Sequence, residues 1–195
     1  MARPREFDID EALIKSMQVF WSKGYEATSM SDIMEATNLQ KGSIYKAFND
    51  KHSLYVASLK YYLEAAHEFD KKHLENTKTP KKAILNWLND DLKSVCDQTI
   101  KRGCLMVNAL NEMAYADEEI ELLVSSHLSS LESLLTKTIK QGQSMGEFRQ
   151  DLKPQEIARL IISSFIGMIS LSKGPMCKSI NLKNAKNIVK VIETL

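Results

Sequence analysis

Apolar side chains recur every three or four positions along almost the whole chain, a period that predicts helices packed through one face. Leu13, Met17, Phe20 and Trp21 predict a first helix over about 10–23. Gly24 ends it, because glycine takes a positive φ without steric cost. Ser29, with Asp32 three residues on, makes a capping box for a second helix whose inner face is Met30, Ile33, Met34 and Ala36. Asn38 tolerates the left-handed conformation and turns the chain. Leu39 plugs the core beneath it, and a third helix follows over about 41–48. Asn49-Asp50 breaks that helix and caps a long fourth one from Lys51 to near Asn76, with Leu54, Leu59, Tyr62, Leu63, Ala66 and Phe69 inward.

Thr77 to Pro80 is a connector, with Thr79 as an N-cap and Pro80 as a first helical residue. A fifth helix over about 80–100 rests on Ile84, Trp87, Leu88 and Leu92, and Arg102-Gly103 breaks it. A sixth, over about 104–116, carries Met106, Leu110 and Met113. A seventh, over about 117–141, carries Ile120, Val124, His127, Leu128, Leu131, Leu134 and Leu135 and ends at Gly142. Asp151 and Pro154 open an eighth helix to about 171. Leu182, Ala185, Val189 and Ile192 mark a last one over about 181–195 at heptad-like spacing. The expected architecture is all-α with about nine helices. A small N-terminal unit joins a larger helical one, and the boundary falls within the fourth helix.

Composition narrows the function. Of 195 residues, 44% are hydrophobic and 26% charged, with only four prolines and seven glycines, which suits a packed core of long helices. The net charge of +1 does not advertise a nucleic-acid partner, yet Lys41, Lys46 and Lys51 face only Asp50 between Asn38 and Lys51. A phosphate-binding surface needs positive charge only locally. Cys96, Cys104 and Cys177 are odd in number and form no CxxC, which suggests neither a disulfide framework nor a zinc site. His67 and His73 stand six apart, a poor metal pair. We expect no metal and no cofactor. Arg3, Arg5, Glu6, Asp8 and Asp10 interrupt any signal peptide. The apolar run 160–171 is too short to span a bilayer. A cytoplasmic protein without a membrane segment is expected. The sequence offers no paired nucleophile and base and no phosphate loop, so it is not expected to be an enzyme.

The informative stretch is 28–51. Its third helix presents Lys41, Gly42, Ser43, Tyr45 and Lys46 from its leading end, after a helix and a tight turn. This is the pattern of a helix-turn-helix, at about 29–48, in which the second helix enters the major groove of DNA. Lys41 and Lys46 can reach phosphate or a guanine edge, Ser43 a base, and Tyr45 a phosphate or a thymine methyl. Gly42 lets the backbone approach the sugar-phosphate chain. Lys51, at the start of the fourth helix, adds its charge to free N–H groups and the helix dipole. Thr28 and Ser29 can hold a phosphate at the start of the second helix. A helical hairpin with a merely solvated lysine face would share the spacing.

Phe7, Ala12, Leu13, Phe20, Gly24-Tyr25, Thr28-Ser29, Ile33, Ala36, Leu39, Lys41-Gly42-Ser43-Ile44-Tyr45, Phe48, Lys51 and Leu54-Tyr55 closely resemble the N-terminal domain of the TetR family of transcriptional regulators. The likeness covers about 6–66. Asn38 replaces the family's usual glycine and Gln40 its usual serine or threonine. The resemblance implies a DNA-binding domain over 6–66 and a helical ligand-binding and dimerisation domain over 67–195. It also implies a homodimer through the helices at about 154–171 and 181–195. The eighth helix, apolar nearly all round, agrees: it needs two covering surfaces, and Ser163, Ser164, Gly167 and Ser170 allow close approach.

Cavity candidates are Tyr62, Phe69, Trp87, Leu88, Met106, Leu110 and Met113, none of them charged, so none names a ligand class. Cys104 follows Lys101, Arg102 and Gly103 and should open a helix, both of which lower a thiol pKa. Gly103-Cys104-Leu105 resembles the segment in family members that respond to electrophiles or oxidants. Cys96 and Cys177 are weaker candidates. Arg3, Pro4 and Arg5 form a basic arm that can follow the DNA backbone or stay a free tail. The expected function is a dimeric repressor of a palindromic operator on double-stranded DNA, released by a small-molecule effector or by thiol modification. The alternatives are an activator of the same fold and a helical interaction module without DNA binding.

Overall fold

The computed structural model describes residues 7–75, 77–97, 102–174 and 177–193, and only the backbone of 177–182. The basic arm at Arg3 to Arg5, the expected helix end at Asn76, residues 98–100, Lys101 and the last two residues lie outside them, as do the side chains of Cys177 and Leu182. The described elements are α1 (Ile9–Lys23), α2 (Met30–Thr37), α3 (Lys41–Phe48), α4 (Lys51–Leu74), α5 (Pro80–Cys96), α6 (Leu105–Glu112), α7 (Glu118–Ser144), α8 (Pro154–Ser172) and α9 (Cys177–Ile192).

The local signals of the first three helices hold. Asp8 caps α1 by accepting from the Asp10 and Glu11 N–H groups. Gly24 closes α1 at φ 85°, its N–H donating to the Phe20 carbonyl. The Ser29–Asp32 capping box is complete, and Asn38 sits in the left-handed region at φ 56°. Asp50 caps α4 by accepting from the Ser53 N–H.

Elsewhere the structure corrects the expectation. Thr79 makes no side-chain cap bond. Instead the Lys81 N–H at the start of α5 donates to Glu147 at 2.8 Å. α6 stops at Glu112 and α9 begins at Cys177. α7 runs through Gly142, which is buried within it. A Cβ on Gly142 would lie 2.3 Å from the Phe148 ring, so this glycine serves a close approach and not a helix end. Phe148 in turn pairs with Glu193 in an isolated bridge that fastens the loop after α7 to the end of α9.

α1 and α3 pack on the start of α4 and α2 packs on α1 and α3; Phe20 meets Tyr55 edge-on at 5.1 Å and Tyr25 lies 5.0 Å from Tyr55. α4 continues against α5, α6 and α7. α7 lies on α8, and α9 on α5 and α8. No described helix is long and apolar enough to cross a membrane.

Candidate functional site

Ile44 is buried and anchors α3 to the core. Lys41, Gly42, Tyr45 and Lys46 are thereby turned outward, and Ser43 is half-buried beside them. The Lys41 ammonium lies 5.2 Å from the centre of the Tyr45 ring, which places two donors side by side on this face. Gly42 has no atom within 4 Å of where a Cβ would stand. Nothing inside the protein requires glycine there. Lys51 lies over the Tyr25 ring at 4.3 Å, beside the start of α4. Ser29 is exposed, but its hydroxyl is engaged with Asp32. That carboxyl is held down at about 2, first by Lys23 at 2.6 Å and then by Ser29. Thr28 leaves the candidate set: it is buried, and its hydroxyl donates to the Gly24 carbonyl at 2.6 Å, so it holds a turn together.

Behind this surface, the segment around Cys104 touches α1 and α4. The Trp21 indole N–H donates to the Gly103 carbonyl at 3.0 Å. The Arg102 guanidinium stacks on the Trp21 ring at 4.0 Å and donates to Gln18. The Tyr62 hydroxyl donates to the Cys104 sulfur at 3.1 Å. At the far end of α6, the Glu112 carboxylate accepts from the Tyr25 and Glu26 N–H groups at 3.0 and 2.9 Å. His52 near the start of α4 meets Asp117, the N-cap of α7, at 2.6 Å. α6 and its flanks are therefore tied to the second half of α1, to the α1–α2 connection and to α4.

A cavity of about 240 Å³ lies against that segment. Of the expected lining, Tyr62, Phe69 and Met106 are present, and Cys104 joins them. Trp87, Leu88, Leu110 and Met113 do not line it. Leu88 and Trp87 are fully enclosed, Met113 is buried and Leu110 packs against the core. An inward helical face marks what is buried, and most of what is buried is simply packed.

The cavity also holds residues that sequence reasoning missed, Asp70, Asp91 and Phe165. Asp70 is 5% exposed; its Oδ1 accepts from the Trp87 indole N–H at 2.8 Å, while Oδ2 has no hydrogen-bond partner. Burial pushes the Asp70 carboxyl up to about 7 and Asp91 to about 6. Burial drives His127, which also lines the cavity, down to about 4. An aspartate at an inward position of an otherwise apolar stripe was the available signal.

Two cysteine expectations change. Cys104 is buried, and burial pushes its thiol up to about 11, overriding the helix start. At rest it is a thiol and not a thiolate. Cys96 is disulfide-bonded, because pairing follows distance in space and not spacing in sequence. Among the described residues no cluster could hold a metal ion.

A helix-turn-helix with an outward lysine, glycine and tyrosine face, joined to a helical body with a cavity, defines a ligand-responsive DNA reader. Residues 13–57 match the family described as bacterial regulatory proteins, tetR family, and residues 80–174 match the tetracyclin repressor-like C-terminal domain. The chain is 29% identical to the HTH-type transcriptional repressor ComR of Escherichia coli K12, over 88% of this chain and 83% of that one. Among solved structures, a cysteine mutant of the TetR family regulator CifR, determined with 26-base-pair operator DNA, superposes with a TM-score of 0.83 at 25% identity, over 96% and 98% of the two chains. The reduced form of E. coli NemR superposes with a TM-score of 0.84 at 20% identity, over 95% and 96%. The chain belongs to the TetR family of transcriptional regulators.

Proposed function

We propose that the protein is a cytoplasmic homodimeric repressor that holds a palindromic operator until a small molecule enters the cavity beside α6. The DNA-reading unit spans 6–66, the effector and dimer unit 67–195, and α4 belongs to both. α3 enters the major groove: Lys41, Lys46 and Lys51 take phosphates, and Ser43 and Tyr45 meet base edges or backbone. The outward face of α3, with Lys41, Tyr45 and Lys46 exposed around the buried anchor Ile44, carries this reading.

Leu160, Leu171 and Val191 are more than half exposed on α8 and α9, around a groove that includes Gly167. That is the face a second copy covers. The two α3 helices then need a separation of roughly 34–36 Å or a multiple of it. An effector prising α6 from Trp21 and Tyr25 would change that separation, by no more than its differential affinity for the two states allows. The names of the relatives, ComR and NemR among them, favour repression over activation.

Selection of bound sequences from a random duplex library tests the reading. A palindrome should emerge, and Tyr45→Ala with Lys46→Ala should abolish its binding while leaving a folded dimer. Absence of any enriched sequence at low salt would overturn it in favour of an interaction module.

A second reading concerns Cys104, which lines the same cavity under the Tyr62 hydroxyl. An electrophile admitted there would meet the thiol directly. Cys104→Ser should bind the operator and ignore electrophiles; release that persists in the variant would dismiss this route.

A further inference from the structure

We propose that the effector cavity is built for a small organic cation, held by Asp70 and Asp91 within a wall of aromatic rings. This rests on the reading of that cavity as the effector site. The argument begins with an uncompensated carboxylate. Asp70 is 95% enclosed, yet Oδ2 has no hydrogen-bond partner. The nearest candidate, His127 Nε2 on α7, is 3.7 Å away, and His127 is held neutral by its own burial. A buried polar atom without a partner costs about 1–3 kcal/mol, more once charged. A ligand that brings positive charge to this atom relieves that cost.

Asp91 on α5 lines the same space and places a second carboxylate there. Tyr62, Phe69 and Phe165 add aromatic rings to a wall that Ala66, Met106 and Leu131 help to close, and Trp21, whose ring already carries the Arg102 guanidinium at 4.0 Å, borders it. Aromatic faces attract cations through their quadrupoles, most strongly where water is excluded. Two carboxylates among aromatic rings are the wrong lining for an anion, and a purely apolar ligand would leave Asp70 Oδ2 unpaired. Among the described residues, the groups around Asp70 are His67 and His73 on its own helix, Trp87 and Asp91 on α5, His127 on α7 and the Cys104 thiol before α6. Among the described residues no lysine or arginine lines the cavity, although Arg102 sits on the Trp21 ring and Lys71 and Lys72 follow Asp70 on α4. The volume restricts the ligand to a small one.

Protonation adds a signature. Asp70 is neutral below about pH 7 and Asp91 below about 6. A permanently charged ligand should therefore bind more tightly as both ionise.

Benzyltrimethylammonium and its uncharged carbon isostere neopentylbenzene are titrated into the full-length protein by calorimetry. The cation should bind, more tightly at pH 8 than at pH 6, and the isostere at least about tenfold more weakly. Asp70→Asn retains an acceptor for the Trp87 indole, so it should fold and bind operator normally. It should weaken the cation about tenfold and flatten the pH dependence, and Asp91→Asn should weaken it as well. Equal or better binding of the isostere, or Asp70→Asn without effect, would overturn the cation while leaving the cavity as effector site. Failure of both probes would overturn the cation and remove the support for the cavity.

Discussion

Two glycines with opposite surroundings make the residue-scale case. Gly42 lies in α3 with open space at its missing Cβ, so Gly42→Ala should stabilise the free protein by about 0.5–1 kcal/mol through helix propensity. The same methyl should weaken operator binding if DNA approaches there. A raised melting temperature with unchanged operator affinity would remove Gly42 from the interface. Gly142 also lies in a helix, yet its Cβ would meet the Phe148 ring at 2.3 and 2.4 Å and Pro80 at 3.2 Å. Gly142→Ala should cost about 1–3 kcal/mol by overpacking, read as a lowered melting temperature. Asp70 adds a pH dependence. Its carboxyl keeps its proton to about pH 7 in the native state but loses it near 3.8 when unfolded. Between those values the native state binds more protons, so this group's contribution falls as pH rises from about 4 to 7 and stays lost above. Asp70→Asn should therefore melt above the wild type at pH 8, by roughly 2–4 °C for each kcal/mol recovered, with the gap narrowing toward pH 5. His127, driven down to about 4, acts in the opposite sense below its ordinary value of 6.5, but both proteins share it. A melting difference independent of pH would contradict the buried-carboxylate account.

Helices and caps were legible in the sequence wherever the deciding interaction is local. Gly24, Asn38 and the Ser29–Asp32 box each act within one turn, and each stands where spacing put it. The errors arise where a distant residue decides. Gly142 reads as a stop until Phe148 is seen against it. Thr79 reads as a cap until Glu147 is seen to take the Lys81 N–H. Cys104 reads as an activated thiol until it is enclosed under Tyr62. The lysine and tyrosine face of α3 was legible because exposure on a short helix follows from one buried anchor, Ile44. The cavity was not, because periodicity tells which face is inward and not where the interior is left unfilled. The link between α6 and the α1–α2 turn is likewise invisible in sequence, since Glu112 and Tyr25 are 87 positions apart. Glu112→Ala should speed amide exchange at Tyr25 and Glu26 by about tenfold while leaving the α3 amides unchanged. Unaltered protection at those two amides would show that α6 does not hold the turn.

At the scale of the whole molecule, DNA reading and subunit pairing should be separable, because they sit at opposite ends of the chain. With Lys41, Lys46 and Lys51 of each protomer on phosphates, as proposed, a dimer would make about six contacts and log affinity should fall with log salt at a slope of about −5.4. Leu171 is 59% exposed and Val191 61%, so lysine or aspartate at these positions disturbs little within one protomer. Both positions border the groove between α8 and α9, where a second copy would bury the new charges without partners. Leu171→Lys combined with Val191→Asp should therefore give a folded monomer by sedimentation. A monomer reaches one half-site only, so its salt slope should halve to about −2.7. Its affinity should drop by at least about a hundredfold, because the second half-site is no longer delivered at high effective concentration. The slope separates the explanations: damage to the α3 face would reduce it in a protein that still sediments as a dimer, whereas loss of pairing halves it with the α3 face intact. A double variant that remains dimeric would place the interface elsewhere on the body.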